Sequence, residues 1–200
     1  MTSFAATVVA DHRQLQASRA KYDARYQSGV STSDPVSIFK DFVTHIGFQQ
    51  LTVFRMAAAF HRQGLTPLAM LLTRLIRHLY GAEMHYAADL APGLLLVHGN
   101  GLVISREARV EPGCVLSQNV TLGLSSGPNR TAGGAPHLLR DVHVAPGAVL
   151  LGPISVGPNS KIAANAVVMD SVPEGFVVTA APTVATERRS SCEPNEAPSS

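Results

Sequence analysis

Apolar residues recur along this chain with two different periods, and the change falls near residue 82. Before it, Ile38, Phe39, Phe42, Val43 and Ile46 repeat at helical spacing, and Leu51, Phe54 and Ala58 extend the same face. Asp34-Pro35 supplies the start signal, a capping carboxylate followed by proline at the first helical position. Gly64 closes this stretch, with Gly47 as the point where it would split. Thr66-Pro67 opens the next helix, in which Leu68, Leu71, Leu72, Leu75, Ile76 and Leu79 form a stripe ending at Gly81. A more polar helix is expected over about residues 10–27.

From residue 84 the period is six. Ile104, Val110, Leu116 and Leu122 keep it, and so do Val144, Leu150, Val156, Ile162 and Val168. Between them lie turn formers such as Pro112-Gly113, Gln118-Asn119, Pro146-Gly147, Gly152-Pro153, Pro158-Asn159 and Ala164-Asn165. A six-residue period builds a triangular prism. Each hexapeptide gives one short strand and one corner, and three complete a coil of about 18 residues whose apolar columns stack into a core. Leu122 and Val144 are 22 apart, which is not a multiple of six, so the Gly-, Ser-, Pro- and Asn-rich segment Leu124–Leu138 is expected to loop out. The predicted fold is α+β: a helical segment over 1–82, a parallel β-helix of hexapeptide repeats over 83–185 with one excursion, and a disordered tail over 186–200.

Composition narrows the class. At 46% hydrophobic, 15% charged and net charge +2, the 200-residue chain has material for a core and no nucleic-acid-binding surface, and it suits an anionic small ligand. The longest apolar runs, such as Met56–Phe60 and Gly93–Val97, fall far short of the roughly 18 residues of a membrane span. The N-terminus lacks a basic leader region, so a cytoplasmic protein is expected. Two cysteines, Cys114 and Cys192, make no disulfide framework, and Cys114 reads as an inward core residue. Arg106 and Glu107 fall at a corner and read as surface.

Four segments then carry a resemblance. They are Leu65-Thr-Pro-Leu-Ala-Met-Leu-Leu through Gly81-Ala-Glu-Met-His85, Leu96-Val-His-Gly-Asn-Gly-Leu-Val-Ile104, Gln118-Asn-Val-Thr-Leu-Gly123 and Ser160-Lys-Ile-Ala-Ala-Asn-Ala-Val-Val168. In register, they resemble the serine O-acetyltransferase family of hexapeptide acyltransferases over about residues 50–182. The resemblance implies a left-handed β-helix, a homotrimer with acetyl-CoA in the groove between subunits, and a dimer of trimers where the helices pair. It also implies O-acetyl transfer to a small alcohol, with no metal.

Acyl transfer from a thioester to an alcohol needs a base, a group to orient it, and donors for the tetrahedral oxyanion. His98 occupies the position of the family's catalytic histidine, and an imidazole suits proton transfer near neutrality. Glu83 stands where the family has the orienting aspartate. The oxyanion donors would be backbone amides near Gly123 or on a neighbouring subunit. Two other readings stay open: counting back six from Ile104 makes His98 an inward core histidine, and Glu83 is equally a solvated carboxylate at the helix-to-coil junction.

Val97 replaces the family's acceptor-binding aspartate, and Gly134 and Ala135 replace its arginine and histidine, so free L-serine is not the expected acceptor. Asn100, Gln118 and His137 join Val97 on the acceptor side; His137 also reads as an exposed loop histidine. Gly123, Gly152, Ala163 and Lys161 fall on the coenzyme side, where the glycines are also explicable as prism corners and Lys161 as a corner charge. The family's phosphate-contacting arginine is Val184 here, with Arg188 or Arg189 as replacements. His98, His137 and His143 also admit a zinc enzyme of the gamma-type carbonic anhydrase kind, and a non-catalytic hexapeptide scaffold is a third reading.

Overall fold

The computed structural model describes residues 3–22, 33–125 and 133–180. The expected tail over 186–200, with Arg188, Arg189 and Cys192, lies outside the described residues, as do Val184 and the last residues of the expected polar helix.

Four helices come first. The polar one, α1 (Phe4–Tyr22), starts at Phe4 rather than near residue 10, because Ser3 Oγ accepts from Ala6 N at 3.2 Å and because Val8 and Leu15 supply a buried face. In α2 (Pro35–Thr44) the start signal works as expected, with Asp34 accepting from Ser37 N at 2.8 Å. The break before α3 (Ile46–Arg62) falls at His45, not at Gly47. His45 is extended; its N–H donates to Asp41 O, and its Nδ1 accepts from Phe48 N at 3.3 Å, so one residue ends one helix and caps the next. Gly47 sits instead inside the first turn of α3, pressed on the Leu96 carbonyl, where any Cβ would collide. The last helix, α4 (Thr66–Tyr80), ends at left-handed Gly81. Its leucine stripe stays largely at the surface: Leu71 and Leu79 are each 62% exposed, while Ala69 and Ile76 face inward.

The prism follows. Numbered in chain order, its first sheet stacks β1 (Glu83–Met84), β4 (Val103–Ile104), β7 (Thr121–Gly123), β10 (Val149–Leu151) and β13 (Val167–Val168). The second stacks β2 (Asp89–Leu90), β5 (Arg109–Val110), β8 (His137–Leu138) and β11 (Ser155–Val156). The third stacks β3 (Leu95–Val97), β6 (Val115–Ser117), β9 (His143–Val144), β12 (Lys161–Ile162) and β14 (Val177–Val178). All pairings are parallel. Alternate strand residues point inward, and the column from Met84, Leu90 and Leu96 through Ile104 to Val168 is buried. Each such aliphatic removed from water contributes about 1.5–3 kcal/mol, so an inward position tolerates no polar substitute without a partner. Cys114 is fully buried in this core, and burial pushes its thiol up to about 11.

Registers show where the period breaks. Val103 pairs with Glu83, an offset of 20, whereas Thr121 pairs with Val103 at 18. Val149 pairs with Thr121 at 28, so ten residues beyond a normal coil leave the prism after β7. The excursion closes earlier than expected: His137 and Leu138 are already β8, with Leu138 fully buried.

A buried ion pair fastens the helices to the first coil. Arg55 Nε donates to Asp11 Oδ2 at 2.9 Å, and its other nitrogens donate to the carbonyls of Leu90 and Ala91. Asp11 Oδ1 also accepts from Gly93 N at 2.8 Å and Leu94 N at 3.2 Å. Burial pushes the Asp11 carboxyl above its ordinary value against these donors. Beside it, Asp41 gathers His12 Nε2 at 2.9 Å and Arg19 at 2.6 Å, tying α1 to α2. Among the described residues, no helix is long and apolar enough to cross a membrane.

Burial holds His45, His85 and His143 below the ordinary imidazole pKa, helped by Arg19, Arg106 and Lys161 respectively. On acidification the unfolded chain therefore takes up protons that the folded chain refuses, and stability present above about pH 6.5 is lost below it. Asp11 carries the opposite sign. Thermal unfolding is expected to show a lower Tm at pH 5.5 than at 7.5, with His143→Gln narrowing the gap; an unchanged gap in that variant contradicts the assignment.

Candidate active site

The corner between β3 and β4 is the one that carries the two extra residues. It runs His98-Gly99-Asn100-Gly101, with φ of 65° at His98, 55° at Gly99 and 67° at Gly101. Asn100 N donates to His98 O at 2.7 Å, and Asn119 N of the next layer donates to Asn100 O at 2.8 Å. The bulge pushes His98 out of the prism, and its side chain is exposed. The inward histidine reading is thus corrected: the buried column position here is Leu96, eight residues before Ile104. Counting forward from Met84 and Leu90 would have found Leu96, so the signal lay in the sequence.

Helix α3 lies against this corner. Gly47 meets the Leu96 carbonyl and, one turn later, the Gln50 amide meets Gly99. His45 is half-buried at the start of the same helix. Its lowered pKa comes first from burial and then from Arg19, with Asp41 opposing and the His98 imidazole adding to the lowering. Neither His45 nor Gln50 belongs to the sequence motifs, and only the docking of α3 brings them here.

Glu83 opens β1, one layer from the corner, on the strand that pairs with β4. Its exposed carboxylate lies 3.4 Å from Arg77 Nη1, and no hydrogen bond or ion pair joins it to His98 among the described residues. Val97 packs with Ile38, Phe42 and Val115 around Phe48, Leu15, Val8 and Leu95, in the apolar seam where α1–α3 meet the third sheet. Asn100 is exposed on the His98 corner. The pairing of Val97 with Ser117 puts Gln118 one layer away at the same corner, with its Oε1 buried and unpartnered among the described residues. Ala163 follows β12 at that corner column as well.

The remaining candidates lie elsewhere in the chain. Gly123 and Gly152 are adjacent at the corner between the first and second sheets, joined by Gly152 N donating to Gly123 O at 3.1 Å. Lys161 is exposed on β12 beside His143, its register partner. His137 stands on β8, 3.3 Å from Glu111. The three histidines of the zinc reading are therefore spread over a corner, the second sheet and the third sheet. Gly134 and Ala135 line a cavity of about 450 Å³ together with Asp89, Arg106, Glu107 and Arg109. Arg106 and Glu107 are exposed, as expected, yet they share that cavity.

No protein-family model matches the chain. A serine acetyltransferase of Bacillus pumilus is 33% identical over 156 residues, covering 76% of this chain and 70% of its own length. One from Synechococcus elongatus is 39% identical over 137 residues, and the chain spans only 55% of that relative. Among solved structures, Neisseria gonorrhoeae serine acetyltransferase in complex with serine superposes with a TM-score of 0.73 at 26% identity, over 90% of this chain and 67% of its own. The Brucella abortus serine acetyltransferase in complex with coenzyme A gives 0.71 at 31% identity, over 86% of this chain and 64% of its own.

The apolar seam makes one outcome specific. Val97→Asp places a carboxylate among Phe48, Phe42 and Leu95, and it is expected to lower stability by about 1–3 kcal/mol in denaturant unfolding. Unchanged stability means that the seam opens at Val97.

Proposed function

Because the chain belongs to the serine acetyltransferase family, we propose that it is a CoA-dependent O-acetyltransferase with His98 as its general base. The observation that carries this reading is the two-residue bulge, which sets one imidazole outside the prism on a rigid corner. His98 takes the proton of the acceptor hydroxyl as that oxygen attacks the thioester carbonyl. A C–O bond forms, the oxyanion collapses, the C–S bond breaks, and the imidazolium returns its proton to the departing thiolate. The products are an O-acetyl ester and free CoA.

Glu83 orients the imidazole in this reading. Its competing contact with Arg77 is a surface ion pair, of a kind typically worth under about 1 kcal/mol, so the carboxylate turns at little cost. Asn100 and Gln118 share the His98 corner and face the acceptor, whereas Gly134, Ala135 and His137 belong to a different corner and face of the same prism. A trimer in which a neighbouring copy faces this corner would bring the two sets together. The apolar residues left exposed on α4 (Leu68, Leu71, Leu75 and Leu79) support further pairing through the helices. Gly123, Gly152, Ala163 and Lys161 line the coenzyme groove in that assembly.

The acceptor is a small alcohol without a free ammonium group. Val97 is committed to the apolar seam and offers no charge, and Gly134 and Ala135 offer none either. A neutral hydroxyl compound, such as a serine derivative blocked at both its amine and its carboxylate, fits better than free L-serine.

Thiol release from acetyl-CoA tests both parts. His98→Ala is expected to lower kcat/KM by about 10²–10⁴-fold, and Glu83→Ala to lower it while Arg77→Ala does not. Near wild-type turnover by folded His98→Ala overturns the base assignment. Across a panel of hydroxyl compounds, a serine derivative blocked at both its amine and its carboxylate is expected to outrun L-serine; the reverse order overturns the acceptor reading.

A further inference from the structure

Gln50 is fully buried on α3, and neither its Oε1 nor its Nε2 has a hydrogen-bond partner among the described residues. The other buried polar side chains of α1–α3 are not like this: Asp11, His12, Asp41 and Arg55 are all hydrogen-bonded. Of its neighbours in the buried face of α3, Leu51, Phe54, Ala57 and Ala58 are apolar, and Arg55 is hydrogen-bonded throughout. Stability alone would fill position 50 with an apolar residue, because an orphaned buried amide loses its hydration and regains nothing. A buried amide without partners calls for a reason, and its location supplies one.

The amide meets Gly99 end-on through its Oε1, so closely that a Cβ there would overlap that oxygen. Gly99 is the residue next to His98, and both are left-handed. For His98 that conformation is strained, and such a residue persists only where its surroundings over-determine it. Here the surroundings are explicit. Gly47 blocks one foot of the bulge at the Leu96 carbonyl, and Gln50 blocks it at Gly99. From the next layer, the Asn119 side chain blocks it at Gly101, where a Cβ would likewise collide.

We propose that Gln50 is a positioning residue for the O-acetyl transfer, its buried amide wedged against Gly99 so that the His98 imidazole is held in one orientation outside the prism. The inference rests on the reading of His98 as the base, but the wedge itself can be observed without turnover. A planar amide suits the task, since its end is rigid where a thioether of the same length is flexible.

The test uses the full chain and two variants. Gln50→Met keeps the length and removes the amide; Gly99→Ala forces a methyl into the wedge from the other side. Imidazole titration by NMR, with His98 assigned by its loss in His98→Ala, reads the environment in which the ring is held. Steady-state kinetics with acetyl-CoA read the consequence. For Gln50→Met the expected result is a Tm raised by about 2–4 °C, a His98 titration midpoint shifted by at least 0.5, and kcat down tenfold or more with the KM for acetyl-CoA unchanged. Gly99→Ala is expected to shift the His98 midpoint as well. A Gln50→Met protein whose Tm falls, or whose His98 titrates as in the wild type, overturns the proposal. If the wild type transfers no acetyl group to any acceptor, the base reading fails, while the titration still decides whether Gln50 controls His98.

Discussion

Every inward side chain of the prism must rest on the side chain one layer below it, and the rest of the structure depends on this stacking constraint. Leu96 sits under Leu116, and Leu116 under Val144, because the sheets are parallel and in register. An extra residue inside a strand would turn the column outward and expose it, at a cost of about 1.5–3 kcal/mol for each large aliphatic displaced. Extra length is tolerated only at corners. The chain uses that freedom between β3 and β4, where two residues lift His98 clear of the core, and after β7, where ten residues leave the prism. The candidate base thus stands where the repeat is interrupted.

Within the prism a projecting corner meets only the corner of the next layer, so the helical segment supplies the remaining neighbours. Arg55 and Asp11 fasten α3 and α1 to the corner between the second and third sheets, and this anchoring brings the first turn of α3 down onto the His98 bulge. The same docking explains Val97. Once α1–α3 cover the third sheet, the residue before the histidine lies in an apolar seam, and a carboxylate there would be stranded. The charge absent from position 97 and the helix packing are two faces of one arrangement. The surroundings of Val97 are thus set by how the helices sit, not only by which residues the prism carries.

Much of this was legible beforehand. The helix starts at Asp34-Pro35 and Thr66-Pro67, the stop at Gly81, the six-residue columns and the excursion all follow from local rules of capping and periodicity. The misses have physical causes. His45 rather than Gly47 splits the helices, because an imidazole nitrogen can cap a helix while Gly47 is needed for close approach to Leu96. His98 was countable as an inward residue only by carrying the six-residue period across a corner that breaks it. The cap at Ser3 is not legible in the pattern, because a cap is a single contact that leaves no periodic trace.

The sequence by itself determined the prism, its apolar columns, the break in the repeat and the presence of a histidine in a Gly- and Asn-rich context, because each of these is written in the spacing of residues near one another in the chain. Only the tertiary structure decided that Gln50 and His45 stand at the His98 corner and that Val97 lies partly buried against the helices. Those outcomes depend on how a helix more than thirty residues upstream docks onto one corner, and that docking is set by buried contacts such as Arg55 to Asp11, which no local spacing encodes.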